Sequence, residues 1–131
     1  MNPIDAAINR HIDEQSPESL DHLYTAFLSG ELFIATDGKW NPDPTGETTI
    51  RAVCIKKKNG QFCLPAFTSI EHLWEWKPED PPSVEIPGLS LFHLASTMAV
   101  EWIVVNHKGI PQGQFNRQEI QLLAAGKKPK N

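Results

Sequence analysis

The sequence predicts an α/β (α+β) domain: a mixed sheet of about five strands, including one antiparallel hairpin, packed with helices. Three stretches carry that prediction. The first is Asn59-Gly60 between two strand-like runs, a pair that tolerates the positive φ angles of a type I′ hairpin turn. The second is Gln61 to Phe67, an apolar run that passes into a helix start in which Thr68 can cap and Glu71 stands three residues later to complete a capping box. The third is Trp102-Ile103-Val104-Val105-Asn106, a β-branched run of strand length that suits a central, buried strand.

The remaining elements follow in chain order. Asn2-Pro3 is a cap residue followed by proline at the first helical position, and Ile4, Ala7, Ile8 and Ile12 recur at helical spacing to about Glu14. Ser16-Pro17-Glu18 repeats the start signal for a second helix, with Leu20, Leu23, Phe27 and Leu28 on one face and Gly30 as its terminator. Leu32 to Thr36 is too short for a helix and lacks polar alternation, which fits a strand covered on both faces. Asp37 to Thr48 is rich in Asp, Asn, Gly, Pro and Thr and reads as a long loop around Trp40, which is either a binding anchor or a plug folded back on the core.

Thr49–Lys57 and Gln61–Phe67 form the predicted hairpin, and Pro65, which cannot donate to a ladder, needs an edge, a bulge or a strand end. A helix from about Ser69 to Trp76 stops at Pro78, and Lys77 to Pro82 is a stiff polar linker. Val84-Glu85-Ile86 is a short strand, Pro87-Gly88 turns into an apolar helix over Leu89 to Ala95, and residues 107 to 115 read as a loop. Asn116 to Glu119 is a second capping box, opening a last helix that ends at Gly126. The organisation expected is an N-terminal helical extension over residues 1–15, one domain over 16–126 and a flexible basic tail over 127–131.

Composition excludes several function classes. With 131 residues the chain is one domain, and 40% hydrophobic against 21% charged residues describes a globular fold. A net charge of −4 argues against a sequence-independent grip on nucleic acid, and the basic runs Lys56-Lys57-Lys58 and Lys127-Lys128-Pro129-Lys130 read as solvated charge. No membrane span and no signal-peptide pattern is present at the start, so a cytoplasmic location is expected. The spacing of Cys54 and Cys63 matches no zinc or redox motif, so both read as small buried hydrophobes.

Catalytic templates fail at the level of spacing. Neither GxGxxG nor GxxxxGK[ST], HExxH or GxSxG occurs. No metal, no cofactor and no catalytic residue is expected. His72 and Glu75 form an i, i+3 pair whose ordinary meaning is a solvated helix face, and His93 reads as a satisfied, partly buried histidine. Ser69 reads as a helix-start residue. His107 follows Asn106 at the carboxyl end of the predicted core strand, and Thr68 and Ser69 hold the corresponding place after another strand. Ligands gather beyond strand carboxyl ends in open sheets, so Thr68, Ser69, Asn106 and His107 are candidates for one shared cleft. Trp74 and Trp76 lie two apart on a helix and cannot face the same way; Trp76, beside the proline linker, is expected to be the exposed aromatic contact.

In combination these motifs resemble a family. Leu64-Pro65-Ala66-Phe67-Thr68-Ser69 with Leu73 and Trp76, Val84-Glu85-Ile86-Pro87-Gly88 with Leu91 and Leu94-Ala95, Ile103-Val104-Val105-Asn106, and the Glu119-Ile120 helix are similar to the N-terminal domain of the SseB family over about residues 17 to 125. The resemblance implies a bacterial cytosolic α/β domain from a family named for a serine-sensitivity phenotype, with no catalytic residue set. His107 in place of an expected proline, and the helix at the N-terminus, depart from the family pattern. The expected function is a non-enzymatic interaction or regulatory module that binds another protein, with immunity-type binding of a toxin as one form. The surfaces expected are the Thr68-Ser69/Asn106-His107 edge, or Trp40 with Trp76. The alternative is a sensor or weak enzyme for an amino-acid-like ligand, with His107 available for proton transfer.

Overall fold

The computed structural model describes residues 2–36, 41–42, 48–49, 52–56 and 59–129. Trp40 and most of the long loop, with Lys57 and Lys58, lie outside the described residues. The helices are α1 (Pro3–Glu14), α2 (Pro17–Ser29), α3 (Ile70–Trp76), α4 (Gly88–Met98) and α5 (Arg117–Ala124). The strands are β1 (Glu31–Ala35), β2 (Asn41–Pro42), β3 (Thr48–Thr49), β4 (Ile55–Lys56), β5 (Phe62–Ala66), β6 (Ser83–Pro87), β7 (Trp102–Val105) and β8 (Gly113–Asn116).

The central sheet is four-stranded and mixed, in the order β4-β5-β7-β8. The predicted antiparallel hairpin is β4–β5 around Asn59-Gly60, but among the described residues only Gly60 takes a positive φ there, 86°, so the connection is not the two-residue type I′ turn that the pair predicts. β5 and β7 run parallel, with Leu64 opposite Ile103 and Ala66 opposite Val105, and β8 closes the sheet antiparallel to β7. A separate antiparallel pair, β1–β6, joins the sheet through a bridge from Phe33 to Phe67, and Thr36 bridges to Ala52. The small ladder β2–β3 lies in the stretch that reads as loop from sequence except for Thr49, which the sequence gives to the hairpin strand; of that strand, β4 covers Ile55–Lys56. β8 also falls in a stretch that reads as loop, because Gly113-Gln114-Phe115-Asn116 offers only one apolar residue and strand pairing with β7 is what orders it.

Pro65 sits where its missing N–H costs little. Phe67 N–H points to the β1 side and bonds the Phe33 carbonyl at 2.8–2.9 Å with its reciprocal. Alternation of the strand aims the Pro65 nitrogen the same way, into the handover between the β4 pairing at Cys63 and the Phe33 bridge.

One face of the central sheet presents Leu64, Ile103 and Phe115 to α2, α4 and α5, and all are buried. Phe115 is the aromatic hub, meeting Phe27 edge-on at 4.8 Å and Phe92 edge-on at 5.2 Å. A second, smaller core holds Ala35, Phe67 and Leu73 under α3, with Val53, Ile70 and Trp76 packed on it. The helix over residues 3–14, which the sequence sets apart as an extension, buries Ile4, Ala7 and Ile8 in contact with the main body. Gly88 opens α4 where a Cβ would fall 1.6 Å from the Phe27 carbonyl oxygen, so only glycine lets α4 cross α2 this closely.

Capping follows the sequence closely at three of the helix starts. Asn2 accepts from Ile4 N–H, Ser16 and Ser19 exchange hydrogen bonds, and Asn116 and Glu119 form a full capping box. Glu119 does more than cap, because its second carboxylate oxygen accepts the Tyr24 hydroxyl at 2.8 Å and so ties α5 to α2. Burial first, then that hydrogen bond and the Glu119 charge, push the Tyr24 phenol far above its ordinary value. The unfolded chain releases this proton near pH ~10 whereas the folded chain holds it, so the stabilisation is complete below that pH and is lost as pH rises above it. Tyr24→Phe should cost about 1 to 2 kcal/mol at neutral pH and flatten the alkaline decline in urea-unfolding stability; an unchanged alkaline decline would show that another group drives it.

Candidate functional site

Beyond the carboxyl ends of the parallel pair β5 and β7, the chain places Thr68 and Asn106 side by side. Asn106 is 0% exposed and takes a φ of 55°, a left-handed conformation that asparagine adopts more readily than other non-glycine residues. Its backbone N–H continues the ladder to Ala66. Its side-chain oxygen accepts from Thr68 N–H at 3.0 Å, and its amide nitrogen donates to the Pro111 carbonyl at 2.7 Å and to the Thr68 hydroxyl at 3.1 Å. One side chain thus joins both strand ends to the loop over residues 107–112.

The first turn of α1 fills the place a ligand would take there. Asp5 accepts from the Thr68 hydroxyl at 2.5 Å and from the Asn106 amide at 3.4 Å, and Asn2 donates to the Thr68 carbonyl at 2.9 Å. Behind Asp5 stands His72, with Nε2 3.6 Å from Asp5 Oδ2 and Nδ1 3.5 Å from Glu75 Oε1. His72 is therefore not on a solvated face: its side chain is 13% exposed and turns inward toward α1. Its buried Nδ1 has no hydrogen-bond partner among the described residues, and Gly109 packs so closely that a Cβ there would lie 3.0 Å from that atom. The spacing rule missed this because the partner, Asp5, is 67 positions away in sequence and nothing local marks it.

The shared cleft of the sequence reading divides into separate places. Thr68 does not cap α3; Ser69 does, its hydroxyl accepting from His72 N–H at 3.3 Å, while Thr68 serves the buried network. The helix starts one residue later than the box pattern implies, since a buried Thr68 satisfies its polar groups better on Asp5 and Asn106 than on its own helix. His107 is half-buried and points elsewhere, meeting the Trp76 ring edge-on at 6.2 Å and lining a shallow cavity of about 230 Å³ with Ile55, Cys63, Val104 and Gln114. The opening that remains beside Thr68, about 430 Å³, is walled by Glu31 and Glu85. There Glu85 shares a hydrogen bond with Glu31, which raises its carboxyl above the ordinary range, with minor further effects from burial and the Glu31 charge.

The two α3 tryptophans are exchanged relative to the sequence expectation. Trp76 stacks on Phe67 at 5.5 Å and 22°, with the Lys77 amine 4.7 Å above its ring, and so closes the smaller core. Trp74 is the outward one, 41% exposed, its indole N–H donating to Asp80 at 2.7 Å. Helix geometry decides this: residue 73 is buried, and Trp76 lies three positions on, close to the same face, whereas Trp74 falls with Glu71 and Glu75 on the opposite stripe. His93 is likewise exposed rather than partly buried. Cys54 and Cys63 form no disulfide; Cys63 is buried as expected but Cys54 is only half-buried, and burial followed by the neighbouring Cys63 pushes the Cys54 thiol up.

A sequence model of the SseB protein N-terminal domain matches residues 4–122. The chain belongs to the SseB family. The match begins within α1 and runs into α5, so it takes in both the Asp5 contact and the Glu119 box. Searches of curated proteins and of solved structures return no match. In this SseB domain no group of three or more His, Cys, Asp or Glu residues suited to a metal occurs among the described residues, and no helix there is long and apolar enough to cross a membrane.

Two measurements check the site's anatomy. Asn106→Ala should destabilise the protein by about 3 to 5 kcal/mol, because it strains a left-handed position and strands buried Thr68 N–H and Pro111 C=O groups; denaturant unfolding reads this directly. Trp76→Ala should cost about 2 to 4 kcal/mol through loss of the Phe67 stack. Trp74→Ala should stay within about 1 kcal/mol of the parent, and equal losses for the two variants would contradict the assignment of inner and outer tryptophan.

Proposed function

We propose that this domain is a non-enzymatic protein-binding module whose partner docks on the outer side of α3 and the neighbouring 107–112 loop. What carries this reading is how the polar groups at the strand ends are used. Thr68 and Asn106 are buried and their hydrogen-bonding groups are taken up by Asp5, Asn2, Pro111 and one another. A threonine that is 3% exposed offers no surface to a substrate. Among the described residues, the large apolar side chains left in water near this end are instead Trp74 at 41% and Ile110 at 85% exposure. An exposed aromatic and an exposed aliphatic residue on adjoining segments, rimmed by charge, have the composition of a recognition surface.

The small-molecule alternative loses ground on electrostatics. Glu31 and Glu85 line the open cavity beside Thr68, where their carboxyl groups suit the ammonium of an amino-acid-like ligand rather than the carboxylate expected at the helix N-terminus. His107 lies in a different cavity, so a bound carboxylate at Thr68 would have no access to it for proton transfer. A bacterial regulator and an immunity-type protein that neutralises a toxin are the two forms this module could take.

The test is affinity capture from a lysate of the source organism with the parent chain and with Trp74→Ala, both shown to have the same thermal midpoint. A single stoichiometric partner retained by the parent and lost from the variant supports the α3 surface. A partner held equally by both removes that surface from consideration.

A further inference from the structure

The outer side of α3 has a definite chemistry. Glu71, Trp74 and Glu75 form one exposed stripe at i, i+3 and i+4, and Glu79 and Asp80 extend it past the helix end. The loop over residues 107–112 adjoins this stripe through Gly109, whose Cβ position lies 2.9 Å from Glu75 Oε2, and it carries Ile110 at 85% exposure. Within residues 71–80 and 107–112, all of them described, the cations are Lys77 and Lys108. Lys77 is already engaged, 3.8 Å from Glu79 and over the Trp76 ring, and in these two segments the carboxyl groups of Glu71, Glu75, Glu79 and Asp80 outnumber the two lysines. The patch is therefore two apolar anchors within an acidic field. The larger groove of about 880 Å³ between α2, α5 and residues 127–129 is less informative, because Lys127 and Lys128 stand there beside Glu119 and no single sign of charge prevails.

Resting on the protein-binding reading, we infer that this surface takes a basic segment of a partner protein, one that sets large apolar side chains against Trp74 and Ile110 and lysines or arginines against Glu71, Glu75, Glu79 and Asp80. The apolar contact supplies affinity, because desolvated aromatic and aliphatic anchors dominate interface energetics. The acidic rim supplies partner choice and association rate, and these are screened by salt.

The experiment uses the full chain, uniformly labelled with nitrogen-15, and three synthetic peptides: an amphipathic Lys/Leu helix with leucines at i, i+3, i+4 and i+7, its Glu/Leu counterpart, and a Lys/Ser peptide without apolar residues. Backbone and indole N–H shifts are followed in titrations at low salt and at ~0.3 M salt. The inference expects the Lys/Leu peptide to bind, with shifts confined to residues 71–80 and 107–111 and including the Trp74 indole N–H. Affinity should fall about tenfold for Trp74→Ala and for Ile110→Ser. It should also fall for Glu71→Lys/Glu79→Lys and at the higher salt, and the other two peptides should bind far more weakly. Equal binding of the Glu/Leu peptide, shifts centred on the Leu20–Leu122 groove, or indifference to these substitutions would overturn it. So would concentration-dependent shifts of the same residues in the chain alone, which would make a second copy the occupant. If the Lys/Leu peptide fails while lysate capture still depends on Trp74, the basic-partner inference falls and the protein-binding reading stands; if capture is also indifferent to Trp74→Ala, both fall.

Discussion

The rest of the structure depends on the side chain of Asn106. A parallel pair of strands ends with backbone groups that have no further ladder partner, and buried groups of this kind must be satisfied or the fold loses stability. Asn106 meets that demand by accepting from Thr68 N–H and donating to the Pro111 carbonyl, and it reaches this position only because its backbone is left-handed. With Thr68 and Asn106 fixed, Asp5 has a hydroxyl and an amide to bind, and α1 is held across the strand ends. The location where many α/β proteins bind ligands is in this one occupied by its own first helix.

That occupation shapes what the domain can do. Helices α1 and α3 meet through Asp5 and His72, and Gly109 presses the 107–112 loop against the same histidine. The inner face of α3 is thereby committed, through Leu73, Trp76 and His72, to Phe67, α1 and the loop. What remains outward is the stripe of Glu71, Trp74 and Glu75, with Ile110 exposed on the adjoining loop. A buried polar network and an exposed aromatic stripe on the same short helix are two sides of one packing solution, since each turn that directs His72 inward directs Trp74 outward. Short helices gain most of their stability from such packing rather than from propensity, which makes α3 a rigid display for its outer residues.

Local chemistry was legible wherever cause and effect lie within a few residues. The Asn59-Gly60 hairpin, the proline starts after Asn2 and Ser16, and the Asn116–Glu119 box are each decided by backbone groups satisfied within one turn. The β-branched run of β7 was legible as a strand from its composition, although only Ile103 and Val105 are buried and Trp102 and Val104 are half-buried. The candidate site was only half legible. Thr68 and Asn106 stood out by their places at strand ends, and the structure joins them, but position alone implied an open cleft with His107. The cap at Ser69 rather than Thr68 followed from a competition that local spacing does not register.

By itself the sequence determined the fold class, the helix starts, the hairpin and the residues at the ends of the central strands, because these rest on capping, turn geometry and hydrophobic periodicity over short distances. Only the tertiary structure decided that Asp5 fills the strand ends, that His72 faces Asp5, that Trp76 lies inside and Trp74 outside, and that β8 is a strand. Each of these is a contact or a pairing between segments far apart in the chain. Its free energy comes from the burial and satisfaction of groups that have no local signature, so the same residues read in isolation carry no sign of it.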